Sequence, residues 1–196
     1  MKSLKMFSCA VIALAFVVHA DTPAPAMDQE KMAKAWEAAG KVTENHKSLD
    51  YLVGEWNTKT TFRMGANGMA QESTGKSKFE AVFDGRFVKE TFDGAAMGRP
   101  FQGIGFMGYD NTKKKYVTMW MDNMSTGMFR FEGESNDKGK TITSSSDFVC
   151  PITGKDKKVR SVFKKLGKNK VQYEHYENDL TTGKEYKAME VTYTRG

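Results

Sequence analysis

Cysteine and proline are scarce in this chain. Its 196 residues include two cysteines and four prolines. Cys9 lies in an apolar segment near the N-terminus, so removal of that segment would leave Cys150 alone and exclude an intramolecular disulfide. Cys150 follows a run of strand-forming residues, where we expect a small buried hydrophobe rather than a nucleophile.

Recognisable catalytic and metal-binding motifs are also missing. The three histidines show no HExxH spacing, and no Ser-His-Asp set or carboxylate pair stands out. Gly103, Gly105 and Gly108 lie within an apolar strand pattern and do not open a helix, which excludes a nucleotide-binding loop. In a barrel such glycines allow sharp coiling or a close approach of other groups to the backbone.

The net charge is modest. It is +6 for the whole chain, and residues 1–20 contain two lysines and no acid, so their removal would lower it to +4. Basic residues cluster at 113–115, 155–160 and 164–170, where turns are expected. Solvated turns explain these clusters, so we expect no nucleic-acid partner.

The only long apolar run lies at the N-terminus. Lys2 and Lys5 precede apolar residues 6–18, and Val18-His19-Ala20 has the form of a cleavage site. This pattern is typical of a secretory signal peptide, and it is shorter than the ~20 residues of a membrane span. We predict a signal peptide over residues 1–20 and an exported chain, periplasmic or extracellular, without a membrane segment. Because Cys9 lies early in the apolar run, a lipid-modified mature cysteine is disfavoured.

After a flexible, proline-containing leader at residues 21–27, residues 28–196 are predicted to form one domain that starts with a helix. Met32, Trp36 and Ala39 recur at helical spacing, which predicts an amphipathic helix ending near Lys47 and bent near Gly40. We expect this helix to lie against the barrel or cap it. His46, at the junction with the first strand, is expected to be a hydrogen-bonded structural residue.

From Trp56 onward, residues alternate in character and are interrupted by turn signals such as Asp84-Gly85 and Thr181-Thr182-Gly183. The pattern predicts an all-β meander of about ten antiparallel strands. Closure into a single barrel would remove its exposed edges.

The motif Gly54-Glu55-Trp56 marks the start of the first strand. A tryptophan at the end of a small barrel can plug it. Here the chain resembles lipocalins and related calycin barrels, in which an arginine from the last strand covers this ring. The resemblance implies that Arg195 covers Trp56, a contact worth about 0.5–2 kcal/mol. The alternative is that Trp56 is an ordinary core residue and Arg195 a solvated terminal charge.

Five segments resemble the bacterial family known as domain of unknown function 1579, which is grouped with calycin-like barrels such as lipocalins, fatty-acid-binding proteins and nitrobindin. They are residues 52–56, 84–88, 105–111, 116–122 and 189–195. The resemblance implies a calycin-like barrel and no particular reaction. Because nitrobindin-like barrels bind haem through one histidine, it also raises His175 as a haem ligand. The chain shows no second feature of a haem pocket, so a structural histidine is favoured.

Strand alternation suggests which side chains line the lumen. Tyr116, Trp120 and Asp122 share one face of the fifth strand, and we predict that they form a ligand-binding wall. Arg130 from the next strand would join them, paired with Asp122 or Glu90. The alternative is that Trp120 fills a packed core and Asp122 belongs to the following turn.

These observations favour an exported protein that binds a small lipophilic or amphipathic molecule. A structural or interaction protein with a side-chain-filled barrel is the alternative, and an enzyme or haem-binding barrel is the third. An interior with more space than an eight-stranded barrel allows would favour the ligand-binding protein.

The predicted signal peptide gives a direct test. Protein recovered from the exported fraction should begin at Asp21, because cleavage is expected after Ala20. N-terminal sequencing measures this. An intact Met1 or a lipid-modified N-terminus would contradict the prediction.

Overall fold

Ten antiparallel strands close into one barrel, as the sequence predicts. In this computed structural model, which describes residues 28–196, consecutive strands pair with one another and the first pairs with the last. The predicted signal peptide and leader, residues 1–27, lie outside the described residues. The strands are β1 (Gly54–Phe62), β2 (Gln71–Val82), β3 (Phe87–Ala96), β4 (Arg99–Asp110), β5 (Lys115–Asp122), β6 (Phe129–Glu134), β7 (Thr141–Val149), β8 (Asp156–Lys165), β9 (Lys170–Asn178) and β10 (Glu185–Thr194).

From residue 28 onward, two α-helices and a 3-10 turn precede β1. They are α1 (Gln29–Gly40), α2 (Glu44–Lys47) and the turn Asp50–Leu52. Helix α1 ends at Gly40, close to the predicted bend. Within residues 28–196 no helix is both long enough and apolar enough to cross a bilayer.

The expectation that the first helix packs on the barrel is wrong for α1. No residue of α1 is buried, and Trp36 is 78 % exposed. Polar side chains hold only its C-terminal end: the amide of Asn111 donates to the carbonyls of residues 38, 39 and 41, and Arg86 Nε donates to the carbonyl of Gly40. The amphipathic stripe of α1 therefore has no apolar partner in the described part of the chain.

The segment between α2 and β1 seals one end of the barrel, which we call the closed end. Leu49 and Leu52 are each 1 % exposed and pack against Trp56. His46 is buried, and its Nδ1 accepts a hydrogen bond from Thr43 N at 3.0 Å, so it is the predicted junction residue. The rest of this apolar plug consists of Phe79, Val88, Tyr116, Ile142, Phe163, Val171, Val191 and Tyr193.

Arg195 covers Trp56 at the closed end, so the predicted contact is present. Its guanidinium carbon lies 4.3 Å from the centroid of the indole ring. Arg195 Nη2 also donates to the carbonyls of Tyr51 at 2.7 Å and Val53 at 2.9 Å. The indole Nε1 donates to the carbonyl of Leu52 at 2.7 Å. These contacts therefore join β10, β1 and the segment before β1 at one point.

Gly54 makes this arrangement possible. Its φ of +126° is a conformation that side-chain-bearing residues rarely adopt, and a Cβ there would lie 2.6 Å from Arg195 Nη1. The Gly-x-Trp motif thus combines a backbone requirement at Gly54 with a plug at Trp56.

Arg195→Ala should lower the free energy of unfolding by about 1–3 kcal/mol, since it removes the cation–π contact and the donors to two carbonyls. Denaturant unfolding of this variant, of Trp56→Leu, which removes the aromatic face, and of the double variant measures the coupling between the two side chains. Lys168→Ala, an exposed change at the same end, is the control and should shift stability by less than about 0.5 kcal/mol. Strict additivity of the two single changes would show that the contact carries no energy.

Candidate ligand-binding lumen

Strand register identifies the side chains that face the lumen. Directly paired residues share a face, as Trp120 does with Gly105 and Phe129. At the closed end the inward side chains are the apolar plug. Further along the barrel many of them are polar, and these include Thr58, Ser77, Glu90, Thr118, Ser146, Lys157, Ser161, His175 and Glu177.

Hairpin connections alternate between the two ends of the barrel. The β1–β2, β3–β4, β5–β6, β7–β8 and β9–β10 loops lie at the end opposite the plug, which we call the mouth. Inward side chains near the mouth keep some exposure: 12 % for Lys157, 15 % for His175 and 20 % for Glu177. In contrast, Trp56 is 2 % and Val171 0 % exposed at the closed end. The interior is therefore sealed at one end and reachable at the other.

Tyr116 lies on the inward face of β5, but at its closed end. It is 3 % exposed and belongs to the plug, where its hydroxyl is 3.0 Å from Ser48 Oγ. Its ring packs edge-on against Tyr109 at a centroid distance of 5.1 Å. The structure thus separates Tyr116 from Trp120 and Asp122, which lie at the mouth end of the same strand.

Trp120 and Asp122 are brought together by a hydrogen bond from the indole Nε1 to Asp122 Oδ2 at 2.9 Å. A Cβ on Gly103 or Gly105 would run into the Trp120 ring, so these glycines of β4 let the indole lie against the barrel wall. Asp122 Oδ1 also accepts from Met124 N at 3.0 Å. Asp122 therefore orients the indole and also stabilises the β5–β6 turn.

Arg130 does not face the lumen, which corrects its predicted place. Its side chain is 57 % exposed and its Nη2 lies 2.8 Å from Glu132 Oε1 on the outer face of β6. Trp120 pairs with Phe129, so Phe129 and Phe131 point inward and Arg130 points outward. The sequence alternation gave two faces of β6 without showing which one was internal.

Glu90 lies on the inner wall at mid-depth. The sequence suggested it only as a partner for Arg130. Ser77 Oγ donates to Glu90 Oε1 at 2.6 Å. Burial raises the pKa of Glu90 to about 7, although bonds from Ser77 and Tyr193 favour the ionised form. Part of its surface still faces the lumen, so water from the mouth limits the effect of burial.

Three charged or titratable side chains form a second inward group. Lys157 Nζ pairs with Glu177 Oε2, and His175 Nε2 lies 3.4 Å from Glu177 Oε1. The hydrogen bond from His175 is the main cause that lowers the pKa of Glu177 to about 2, with burial opposing it and Lys157 adding to it. β8 pairs with β9 and places these residues side by side, which no local motif reveals.

His175 does not suit haem ligation in this arrangement. Its Nε2 faces Glu177, and its Nδ1 lies 3.4 Å from the hydroxyl of Tyr173. The ring is also flanked by Phe131 and Tyr173, at centroid distances of 6.2 and 6.5 Å. An axial ligand needs a free ring nitrogen and an open approach, so the surroundings of His175 do not fit a haem. Residues 28–196 contain no metal-binding group of three or more His, Cys, Asp or Glu side chains.

Thr58 provides an unsatisfied polar atom inside the barrel. Its side chain points inward from β1, the residue is 4 % exposed, and Oγ1 has no hydrogen-bond partner within the described chain. A buried hydroxyl without a partner costs about 1–3 kcal/mol. The inner wall therefore offers a polar contact to water or to a guest molecule.

Two recesses open on the outside of the molecule, with volumes of about 660 and 500 Å³. The larger lies at the closed end, beside Tyr51, Lys165 and Arg195, and the smaller lies near the β6–β7 connection. Trp120, Glu90 and His175 line neither recess. Both recesses are therefore distinct from the candidate site inside the barrel.

A family model described as "Protein of unknown function (DUF1579)" matches residues 41–195. The chain belongs to this family. The DUF1579 match extends from the segment before α2 to Arg195, so it includes the plug and all ten strands. No curated protein matches the chain.

Two solved structures share the barrel fold of this DUF1579 chain. Rv2717c from M. tuberculosis is 13 % identical, with a TM-score of 0.56 over 80 % of this chain and 99 % of that one. The S-type phycobiliprotein lyase CPES from Guillardia theta is 8 % identical, with a TM-score of 0.52 over 86 % and 98 % of the two chains. Identities this low support a shared fold and no shared activity.

Glu90→Gln should change how stability depends on pH. The folded protein holds the Glu90 proton up to a pKa of about 7, whereas an unfolded glutamate loses its proton near ~4.3. The stabilisation is therefore fully present below the unfolded pKa and is lost as pH rises through about 7, an effect of at most about 4 kcal/mol. Denaturant unfolding across this range should show the loss in the wild type and in Glu55→Gln, an exposed control, but not in Glu90→Gln. Identical pH profiles for all three proteins would contradict the assignment.

Proposed function

We propose that this protein binds a small amphipathic molecule in its lumen, admitted through the mouth. The proposal rests mainly on how the interior changes along the barrel. Inward side chains are apolar and buried at the closed end, and many are polar and partly exposed toward the mouth. A barrel filled only for stability gains nothing from Glu90 or the unsatisfied Thr58, because buried polar groups without full partners cost free energy. The same groups suit a site that binds a polar ligand atom.

The arrangement of the wall suggests how such a ligand lies. Trp120 rests on the glycines of β4 and stacks with Phe101 at a centroid distance of 6.4 Å, which gives an aromatic surface near the mouth. Phe129 extends this surface on the neighbouring strand. An apolar ligand body would contact these rings, with its polar group directed inward toward Glu90 and Ser77.

The charge inside the lumen restricts the polar group of the ligand. Glu90 is neutral below about pH 7 and can then donate a hydrogen bond, while Lys157 and Glu177 largely neutralise each other. A hydroxyl, a carbonyl or a protonated acid fits these partners. Above pH 7 an ionised Glu90 would repel an anionic head group, so binding of a fatty acid should weaken more than binding of a fatty alcohol.

A side-chain-filled structural barrel is the second candidate, because the plug fills the closed half with apolar residues. The two candidates differ in what Trp120 does. In a binding protein its ring contacts the guest; in a filled barrel it supports the core.

We also propose that the protein acts outside the cytoplasm. Support comes from the lysine-flanked apolar run and the Val18-His19-Ala20 site, together with the single cysteine that would remain after cleavage. A ligand held in an exported barrel would be a molecule met outside the cytoplasm.

Trp120→Ala should weaken binding of a fluorescent long-chain alcohol at least about tenfold, because loss of the indole removes the largest apolar contact near the mouth. Trp36→Ala is a matched control, since Trp36 is exposed on α1 outside the barrel. Equilibrium fluorescence titration measures both variants. Undiminished binding in Trp120→Ala would reject the site.

Stability of the same variant separates the two candidates. Trp120 is only partly buried, so a binding role predicts that Trp120→Ala lowers the free energy of unfolding only modestly. A loss of about 3–5 kcal/mol in denaturant unfolding, the range typical of a core tryptophan, would favour the filled barrel.

A further inference from the structure

The larger outer recess lies over the plug at the closed end, and its lining is basic. Its volume of about 660 Å³ falls within the ~300–1,000 Å³ typical of small-molecule sites. Lys140, Lys165, Lys168 and Arg195 line it, and no acidic residue does. We call it the basic recess.

Strand register directs three of these cations toward the barrel axis. Lys140, Lys165 and Arg195 each lie two positions from an inward plug residue, at the closed ends of β7, β8 and β10. Since alternate residues of a strand share a face, these side chains continue the inward face past the plug. Lys165 Nζ accordingly lies 4.4 Å from the centroid of the Tyr51 ring, as Arg195 covers Trp56. The cations therefore converge above the plug.

Backbone hydrogen bonds fix the walls of the basic recess. Lys165 N donates to the carbonyl of Lys140 at 2.7 Å, and Arg195 N donates to the carbonyl of Asn169 at 3.1 Å. The guanidinium of Arg195 is itself held by the carbonyls of Tyr51 and Val53. The positions from which the charges project are thus set before any ligand arrives, which lowers the ordering cost of binding.

The basic recess lacks the counter-charges that lysines have elsewhere on this barrel. Lys59, Lys78 and Lys113 each pair with a glutamate. Within residues 28–196, by contrast, none of the four lining cations forms an ion pair with a carboxylate. Like charges gathered without a counter-ion raise the free energy of the folded protein, and a bound anion would relieve this repulsion.

The carboxylates nearest along the chain do not fill this role. They are Asp50, Asp137 and the terminal carboxylate of Gly196, and none of them lines the basic recess. Asp137 lines the other recess, where its Oδ1 accepts from Ser135 Oγ at 2.8 Å and Thr141 N at 2.7 Å. The four lining cations outnumber these three carboxylates, so the surroundings remain positive.

We propose that the basic recess binds a small molecule that carries a phosphate group. Arginine and lysine are the side chains that bind phosphate oxygens, and a group with two or more negative charges compensates several cations at once. A single carboxylate would leave most of them uncompensated. The ring of Tyr51 and the side chain of Leu166 offer apolar surface to the rest of the molecule.

Solvent-seeking lysines over an apolar plug are the competing explanation. Lysine stems cover apolar surface while the ammonium groups reach water, which accounts for the position of Lys165 over Tyr51. It does not account for four cations around one recess without a carboxylate among them. The site lies outside the plug, so it is independent of the proposed lumen site.

Calorimetric titration with inorganic pyrophosphate at low ionic strength tests the proposal, using the chain from Asp21. Lys140→Gln with Lys165→Gln should weaken binding at least about tenfold, because two charge-assisted hydrogen bonds are lost. Lys76→Gln with Lys158→Gln is the matched control: it removes the same charge from exposed lysines outside the recess. The control should change the affinity by less than about twofold, since distant exposed charges are screened.

Three results would overturn the site: no binding of pyrophosphate by the wild type, equal weakening in both double variants, or equal binding of sodium acetate. Circular dichroism should show both variants folded, because all four substituted lysines are exposed.

Flotation with phosphatidic acid vesicles identifies the source of the phosphate. Flotation that Lys140→Gln with Lys165→Gln abolishes would support a lipid head group, and pyrophosphate binding without flotation would support a soluble phosphate ester. The lumen is tested separately. Trp120→Ala should bind pyrophosphate like the wild type, and the double variant in the basic recess should keep its affinity for the fluorescent alcohol.

Discussion

The stacking of Arg195 over Trp56 is the contact on which the architecture depends. A meander of ten strands is a sheet with two free edges until β1 meets β10, and this contact joins those strands where the chain enters and leaves the barrel. Arg195 also bonds the carbonyls of Tyr51 and Val53, so the segment that plugs the barrel is fixed by the same side chain. The same side chain therefore contributes to both closure and sealing.

Because the plug fills only one end, the two ends of the barrel interior differ. Beyond the plug, many inward side chains are polar, and those near the mouth keep partial exposure. Two glutamates show the difference between the faces of this wall: Glu174, on the outer face, lies within 2.6 Å of Lys164 and 3.4 Å of Lys187, whereas Glu90, on the inner face, is bonded by the hydroxyl of Ser77. Burial raises the pKa of the Glu90 carboxyl to about 7, despite its hydroxyl partners.

The two ends differ in their surfaces as well as in their interiors. The closed end is rich in lysine, and α1 is held beside it by Asn111 and Arg86. The mouth presents apolar tips on every loop. The exposed apolar loop tips thus lie at the same end of the barrel as the partly exposed inward side chains.

The sequence by itself predicted about ten strands and the Gly-x-Trp plug with its covering arginine, because period-two alternation, turn residues and a fold-specific pair are local or recognisable signals. Tertiary structure alone decided which face of β6 is internal, and so placed Arg130 outside and Phe129 inside: alternation gives two faces, and only pairing with β5 selects one. Lys157, His175 and Glu177 became neighbours only through β8–β9 pairing. Likewise the stripe of α1 showed an apolar face but could not supply a surface to cover it, since burial depends on what the rest of the chain places opposite.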